Sequence, residues 1–293
     1  MKLLSHTDIP QGYFYYRNVF AGYQSRILEH FAPFWSQMIV EDGNFGRIKQ
    51  YFWGLFSILR FEKTDIKITP ELLQKYGAKR GIIYISPWRL QRPQGNFFSW
   101  IPLGYFFAQN YHHSTRSAFC ILDREEYFQK WKSNARNHRK KILRLQAEGK
   151  VSIQKDVSLE EFLKVYERIK TPHNYKRYLI KKLKFLTSYS TDIRLFLACV
   201  DGIPLAGACF LDHHPTSTYF VAFQEQEAKK YHLWLALLDT WFEGSYKKWF
   251  LYLDLDHIRN RFDPLSYRGY TTFKSEIADY ELRFEKVWMK IFF

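Results

Sequence analysis

The stretch from 123 to 149, DREEYFQKWKSNARNHRKKILRLQAEG, constrains the fold most strongly because it predicts one helix with both ends marked. Asp123 has the side chain of an N-cap residue, Glu126 follows three positions later as in a capping box, and Gly149 favours a left-handed exit. The positions expected to pack recur at steps of three and four and share one face: they are Phe128, Trp131, Ala135, His138, Ile142 and Leu145. We therefore expect a helix that packs on one side and divides the chain almost in half.

The other side of this predicted helix is strongly basic. A ridge of side chains four positions apart consists of Lys132, Arg136, Lys140 and Arg144, and Arg139 and Lys141 widen it. Between 125 and 147, seven basic residues stand against two acidic ones, and their mutual repulsion does not favour stability. The ridge therefore predicts contact with phosphate groups, such as those of tRNA or of a substrate diphosphate. A solvated helix face is the alternative.

Length and charge are compatible with two domains and an anionic partner. The chain has 293 residues, of which 46% are hydrophobic, so a large core is available. The formal net charge is +15, which favours nucleic acid, a nucleotide or an anionic membrane surface. A basic surface that binds nothing specific has the same composition.

Cysteine spacing and hydropathy predict a cytoplasmic protein. Cys120, Cys199 and Cys209 lack disulfide or zinc spacing, which is expected in a reducing compartment. The N-terminal sequence lacks the apolar core of a signal peptide, and the longest apolar run, 51–61, is too short to span a bilayer. Association with the inner membrane face through aromatic residues and lysines is an open alternative.

The two halves of the chain both predict mixed α/β structure. In the first half, strands are expected over 45–61, 64–68, 81–86 and 117–122, with a short helix from Thr69–Pro70 to Gly77. In the second half, expected helices begin at the capping box of Ser158 and Glu161, cover 174–189, and cover 225–242 with an end at Gly244. Asp201–Gly202 predicts a hairpin between two strands, and further strands are expected over 249–256 and 281–292.

Several catalytic motifs are absent from the sequence. The chain has no phosphate-binding GxxxxGK[ST], no GxGxxG after a strand, no HExxH and no GxSxG. The pairs His112–His113 and His213–His214 are sequence neighbours, whose side chains point apart on a strand. The sequence therefore predicts no metal site and gives no support to a metallohydrolase or a serine hydrolase.

The order hairpin, strand, helix, strand in the second half resembles the acetyltransferase-like (GNAT) fold. Coenzyme A users of that fold hold the pyrophosphate on the amides of a glycine-rich loop after a central strand. Here the corresponding segment, 224–228, reads QEQEA, which lacks the glycines and adds two carboxylates that would repel a pyrophosphate. Coenzyme A is therefore disfavoured.

Two stretches resemble signatures of the Fem-type (FemABX) peptidoglycan-bridge aminoacyltransferases. The first is STRSAFCILDREEYFQKWKSNARNHRKKILRLQAEGKVSI, and the second is FLYLDLDHIRNRFDPLSYRGYTTFKSEIAD, with a strand that ends in Asp followed by Gly-x-x-x-Phe-Lys. The resemblance covers roughly 115–280 and implies an α/β fold of tandem GNAT-like lobes with mixed, mostly antiparallel sheets. The boundaries expected from it are a divergent N-terminal lobe over 1–122, a basic connecting helix over 123–149 and a C-terminal lobe over 150–293.

The resemblance also implies a reaction and its co-substrates. Family members take an amino acid from aminoacyl-tRNA and add it to a muropeptide or a lipid-linked peptidoglycan precursor, without a metal or other cofactor. The residue at the position of the family's lysine is Lys274, and Phe273 is expected to pack beside it. A fixed cation there would stabilise the oxyanion of the tetrahedral intermediate.

Further candidate residues surround this motif in the sequence. Asp254 and Asp256 alternate on the predicted strand, so both are expected on one face, either as a base for the incoming ammonium or as residues that hold the loop 257–272. Residues of that loop expected to bind substrate are Arg259, Tyr267, Arg268 and Tyr270. Two other functions remain open, an N-acyltransferase that uses coenzyme A or a carrier-bound donor, and a non-catalytic RNA-binding protein.

Overall fold

A computed structural model describes residues 1–4, 36–41, 44–52, 55–64, 66–87, 100–102, 116–169, 176–177, 179–180, 183–184, 187, 192–259, 268–284 and 287–293 of the chain. The strands are β1 (Lys2–Leu4), β2 (Ser36–Glu41), β3 (Asn44–Tyr51), β4 (Phe56–Thr64), β5 (Gly81–Pro87), β6 (Ile101–Pro102), β7 (Arg116–Ile121), β8 (Val151–Gln154), β9 (Ile193–Val200), β10 (Ile203–His213), β11 (Thr216–Gln224), β12 (Tyr252–His257), β13 (Tyr280–Arg283) and β14 (Trp288–Phe292). The helices are α1 (Pro70–Lys75), α2 (Ser133–Ala147), α3 (Leu159–Arg168), α4 (Leu233–Lys247) and α5 (Arg268–Ile277), with 3-10 helices η1 (Tyr127–Lys130) and η2 (Glu227–Tyr231).

These strands form two mixed sheets. The larger has the order β1-β13-β7-β12-β11-β10-β9-β8, and the smaller has the order β2-β3-β4-β5-β14-β6. In the larger sheet β11 runs parallel to β12, and in the smaller sheet β4 runs parallel to β5. The predicted class, α/β with mixed, mostly antiparallel sheets flanked by helices, is confirmed.

The chain divides into two compact units. Unit 1 consists of Met1–Leu3, Ser117–Ile258 and Ser266–Glu281, and unit 2 consists of Leu4–Arg116, Arg259–Leu265 and Leu282–Phe293. The boundaries expected at 122 and 150 set the basic helix apart from both lobes. In this division, the basic helix α2 lies within unit 1. The predicted closing strand over 281–292 is two strands in different sheets, and β14 pairs with β5.

The core of unit 1 forms around α4, which is apolar on nearly every side and is therefore buried. Trp241 stacks on Phe210 of β10 at 4.6 Å between ring centroids, and Phe242 meets Trp131 edge to face at 5.4 Å. Aromatic rings in these arrangements stabilise a core beyond the area that they bury. The helix thus joins the sheet to the segment that leads into α2.

The predicted single helix over 123–149 is wrong at its beginning. The chain forms η1, turns to extended backbone at Trp131 (φ −68°, ψ 152°), and starts α2 only at Ser133. Asp123 does not cap the helix: its carboxylate accepts hydrogen bonds from Arg124 and Lys130. Trp131 is buried with its ring against Phe242. This contact joins residues far apart in the chain, so the helical periodicity of the sequence does not reveal it. The predicted exit is confirmed, with Gly149 at φ +71°.

Several local predictions for the second half are confirmed. Ser158 and Glu161 form both hydrogen bonds of the capping box of α3. Asp201 and Gly202 have φ of 50° and 80°, and this turn joins the antiparallel strands β9 and β10. The positions described between 176 and 187 are helical, as predicted for 174–189.

Other boundaries differ from the predictions. Helix α4 does not end at Gly244 but continues to Lys247. Packing of the neighbouring buried residues Trp241, Phe242 and Ser245 outweighs the low helix propensity of glycine, which is about 1 kcal/mol. The segment 66–69 is not a strand, although α1 begins after Thr69 as predicted, with the Thr69 hydroxyl accepting a hydrogen bond from the amide of Leu72. Within the described part of the chain, no helix has the length and apolar character needed to span a membrane.

Candidate functional site

The candidate site begins where two parallel strands of unit 1 separate. Strands β11 and β12 are paired from Thr216 opposite Tyr252 to Thr218 opposite Asp254. Within the described strands, pairing ends there, although β11 continues to Gln224 and β12 to His257. Beyond this point the edges of β11 and β12 that faced each other have no ladder pairs between them, so the backbone groups on those edges need other partners.

Lys274 connects the two separated strands. It lies on α5, three residues before the end of the helix. Its side chain is buried, with 5% of its surface exposed, and its ammonium donates a hydrogen bond of 2.8 Å to the carbonyl of His257 at the end of β12. The same ammonium lies 5.6 Å from the ring centroid of Tyr219, the residue of β11 directly after the last pair. A buried cation is thus fixed at the point of separation.

A second aromatic ring lies near this cation, and further rings pack around it. The Tyr270 ring, also on α5, lies 4.9 Å from the Lys274 ammonium. Phe273 packs on Trp234 at 4.6 Å and on Tyr219 at 6.5 Å, so the predicted packing residue does contact the site. Burial raises the pKa of the Tyr219 phenol, so this ring beside Lys274 carries no competing negative charge.

The two aspartates predicted to share one face do not follow strand alternation. Asp256 has φ +61°, and the register of β12 against β7 shifts between Asp254 and His257. Asp254 is fully buried, and its Oδ1 accepts hydrogen bonds from the hydroxyl of Ser117 and from the amide of Asp256 at 2.8 Å. Of the two predicted roles, this geometry favours holding the end of the strand over acting as a base.

The remaining predicted substrate residues lie in different places. Arg268 is the exposed first residue of α5, so it lies on the helix that carries Lys274. Arg259 belongs to unit 2, where its carbonyl accepts a hydrogen bond from Arg116. Tyr267 lies outside the described residues. The structure thus brings Phe273 and Tyr270 together with Lys274.

The basic ridge of α2 is exposed and lies beside α5. Lys132, Arg136, Lys140 and Arg144 are all exposed. The backbone amide of Lys132 donates to the carbonyl of Glu276, two residues beyond Lys274, and the side chain of Asn134 donates to the Glu276 carboxylate at 3.0 Å. The beginning of the ridge is therefore in contact with the helix that carries the candidate catalytic cation.

Arg139 does not share this exposed ridge. Its Nε lies 2.8 Å from Oδ1 of Asp239 on α4, and its guanidinium lies 4.0 Å from the ring centroid of Phe128. The same carboxylate accepts a hydrogen bond from the hydroxyl of Tyr127 at 2.8 Å. Arg139 thus connects α2 to α4 inside unit 1, because its position turns inward between the exposed steps of the helix.

Backbone amides in and beside the segment that corresponds to the coenzyme A loop are already engaged in hydrogen bonds within the protein. The amide of Glu225 donates to the carbonyl of Leu205, and the amides of Ala228 and Lys229 donate to the carbonyls of Glu225 and Gln226. These donors are the groups with which a loop at this position would hold a pyrophosphate. The carboxylate of Glu225 lies 3.8 Å from Arg168, so its charge remains at this position.

Comparisons with known proteins agree with this architecture. No family model matches the sequence, and no curated protein matches it. The crystal structure of FemX matches with a TM-score of 0.63 at 11% identity, covering 92% of this chain and 91% of FemX. A conserved protein of unknown function from Bacteroides thetaiotaomicron VPI-5482 matches with a TM-score of 0.55 at 8% identity, covering 94% of this chain and 92% of that protein. The predicted resemblance to the Fem-type family is confirmed for the fold.

Two residues of the site were not predicted from the sequence. Tyr219 is one of several aromatic residues in TSTYFVAFQ, and nothing in that pattern distinguishes it from its neighbours. His257 contributes its backbone carbonyl, which any residue type would provide. In the described part of the chain no group of three or more His, Cys, Asp or Glu side chains is arranged to hold a metal. The cysteines Cys120, Cys199 and Cys209 are buried, and none of the three forms a disulfide.

Proposed function

We propose that this protein is an aminoacyltransferase that moves an amino acid from aminoacyl-tRNA to an amine of a peptidoglycan precursor. The observation that carries the proposal is the buried ammonium of Lys274, held by the His257 carbonyl and by tyrosine rings where β11 and β12 separate. A FemX-like fold with a fixed cation in this position suits acyl transfer, because the reaction develops negative charge on a carbonyl oxygen.

In the proposed reaction, the acceptor amine attacks the carbonyl carbon of the aminoacyl ester. A carbon–nitrogen bond forms, the carbonyl π bond opens, and the former carbonyl oxygen carries the negative charge in the tetrahedral intermediate. Lys274 stabilises that charge through its fixed ammonium. The carbon–oxygen bond to the ribose then breaks, and the leaving ribose oxygen takes up the proton that the amine releases. The step needs no metal and no further cofactor.

The exposed part of the basic ridge supports tRNA as the donor. Lys132, Arg136, Lys140 and Arg144 offer cations along one edge of α2, and a sequence-independent contact with phosphates needs such a row. The amides of Glu225 and Ala228, which donate to carbonyls of the protein, support a donor other than coenzyme A. A reaction that uses aminoacyl-tRNA takes place in the cytoplasm, with a muropeptide or lipid-linked precursor as acceptor at the inner face of the membrane.

The test is a donor competition read by mass spectrometry. Purified protein receives a muropeptide precursor as acceptor and either a pool of charged tRNA or acetyl-coenzyme A. We expect the acceptor to gain the mass of an amino-acid residue with the tRNA pool alone. Gain of an acetyl group would overturn the proposal in favour of a coenzyme A enzyme. Binding of RNA without any product would favour a non-catalytic RNA-binding protein.

The residue assignment is tested with a matched pair of buried lysines. Lys274→Met is expected to lower turnover about 100-fold or more, the usual effect of removing one oxyanion donor. Lys290 of unit 2 is also buried beneath an aromatic ring, with 5.6 Å between its ammonium and the centroid of Trp100. Lys290→Met should leave turnover within about twofold of wild type. Equal losses in both variants would contradict a specific role for Lys274.

A further inference from the structure

The hairpin that joins β3 and β4 in unit 2 exposes large apolar side chains at its end. Phe52 is 72% exposed, Leu55 is 50% exposed and Tyr51 is 41% exposed. The sequence through this turn, YFWGLF, has six apolar or glycine positions in a row. Single exposed apolar residues are ordinary on protein surfaces. A group of them at the end of one hairpin indicates a surface that binds a partner or a membrane.

Hydrogen bonds fix the backbone at Phe52 and Leu55, the two described residues that flank the turn. The amide of Leu55 donates to the carbonyl of Phe52 at 3.1 Å, and Nε of Arg80 donates to the carbonyl of Leu55 at 2.9 Å. Phe52 has φ +51°, a left-handed conformation that is unfavourable for a residue with a large side chain. An exposed aromatic ring in this conformation gains nothing from the core, so the arrangement is not explained by folding stability.

The two sequence segments that lead into and out of this end of the sheet carry charges of one sign. The sequence from 44 to 61 contains Arg47, Lys49 and Arg60 and no acidic residue. The sequence from 72 to 86 is also free of acidic residues, and it contributes the exposed Lys79 and Arg80 directly before β5. Because β4 and β5 are parallel and Ser57 is opposite Gly81, these two cations lie at the same end of the sheet as the hairpin turn.

We propose that this hairpin end, made of Tyr51, Phe52 and Leu55 with Lys79 and Arg80 beside it, docks on an anionic lipid bilayer. The apolar side chains would enter the interface between headgroups and acyl chains, where aromatic rings are favoured, while the cations contact anionic headgroups. Single-stranded RNA would use the rings as stacking surfaces, but it offers no partner for the aliphatic Leu55. The proposal is independent of the reaction that unit 1 performs.

The test is cosedimentation of the full-length protein with vesicles. We expect wild type to bind mixed phosphatidylglycerol and phosphatidylcholine vesicles, and to bind pure phosphatidylcholine vesicles much less. The double variant Phe52→Asn and Leu55→Ser removes both apolar side chains and should bind at least about tenfold more weakly. Asn adopts a positive φ readily, so this variant keeps the turn. Lys79→Gln alone should weaken binding about fivefold, and only on the anionic vesicles.

The control is Ile203→Ser, which removes an equally exposed side chain (57%) at the β9–β10 turn of unit 1. It should bind vesicles as wild type does. Thermal unfolding by circular dichroism confirms that each variant folds. The proposal is overturned if wild type does not sediment with anionic vesicles, or if the hairpin variant sediments equally well. It is also overturned if the variant loses RNA binding or self-association while vesicle binding stays the same.

Discussion

Each sheet of this protein contains a parallel pair of strands, and the two pairs differ in how far they stay together. In unit 2, β4 and β5 are paired from Ser57 opposite Gly81 to Thr64 opposite Pro87, with one register shift. In unit 1, the β11–β12 pair ends at Thr218 opposite Asp254. Strands that stay paired satisfy their backbone groups, whereas strands that separate must find other partners. In unit 1, the ammonium of Lys274 is one such partner, bound to the His257 carbonyl.

The same contrast extends to the buried lysine of each unit. Lys290 lies on β14, next to the continuous pair, and burial lowers the pKa of its ammonium. Lys274 lies on a helix and reaches the gap between the strands. A buried lysine near aromatic rings is therefore not by itself a sign of a catalytic site. The separation of the strands distinguishes the two environments and identifies unit 1 as the candidate catalytic unit.

The largest structural effect is expected from breaking the continuous pair with Gly81→Ala. Gly81 has φ +155°, and a Cβ there would lie 1.8 Å from the carbonyl oxygen of Ser57 on β4. Because the obstructing atom belongs to the backbone, the strands would have to move apart. We expect the free energy of unfolding to fall by about 3 kcal/mol or more, measured by urea denaturation.

Gly269→Ala is the matched control for this substitution. Gly269 lies in the first turn of α5, and nothing within 4 Å obstructs a Cβ there. The change should leave stability unchanged or raise it by up to about 1 kcal/mol, since Ala favours a helix more than Gly does. Similar losses for both variants would show that the effect is not specific to the continuous strand pair.

An intermediate effect is expected from Asp254, the last residue of β12 that is paired with β11. Asp254→Ala removes the acceptor for the Ser117 hydroxyl and the Asp256 amide, and it should cost about 2 kcal/mol of unfolding free energy. Asp254→Asn keeps an acceptor oxygen and should retain most of the stability and most of the transferase turnover. If turnover falls about 100-fold in a folded Asn variant, Asp254 acts as the base after all.

The smallest effect is expected from Lys290, and it depends on pH. Burial lowers the pKa of this lysine from its ordinary 10.5, so the folded state loses the proton before the unfolded state does. At pH values below the folded-state pKa, the buried ammonium lowers the free energy of unfolding. The free energy of unfolding then rises as the pH increases through that pKa toward 10.5, because the folded state loses this charge. Lys290→Met should raise the free energy of unfolding at pH values well below this window.

Urea titrations at two pH values test this sign. The stability difference between Lys290→Met and wild type should shrink as the pH approaches the ordinary lysine pKa of 10.5. A difference that stays constant across this range would mean that side-chain packing, and not the buried charge, explains the effect of the substitution.

Local sequence patterns predicted the parts of the fold that depend on neighbouring residues. The capping box of Ser158 and Glu161 and the turn at Asp201–Gly202 need only residues a few positions apart, and both are present. The prediction of one continuous helix over 123–149 was wrong because it also rested on neighbouring residues alone. Periodicity placed Trp131 on a helical face, but its packing against Phe242, distant in sequence, is accompanied by a break in the helix.

The amino-acid sequence by itself determined the composition of this protein's site: the lysine, the phenylalanine beside it, and the absence of the glycines that hold a pyrophosphate. It also determined most strand and helix positions, since these follow from period and capping. Only the tertiary structure decided that Lys274 is buried, with its ammonium near the Tyr219 ring and bound to the His257 carbonyl. It also decided that Arg139 forms an ion pair with Asp239. The physical reason is that these contacts join segments far apart in the chain, and strand separation in a sheet leaves no local pattern in the sequence.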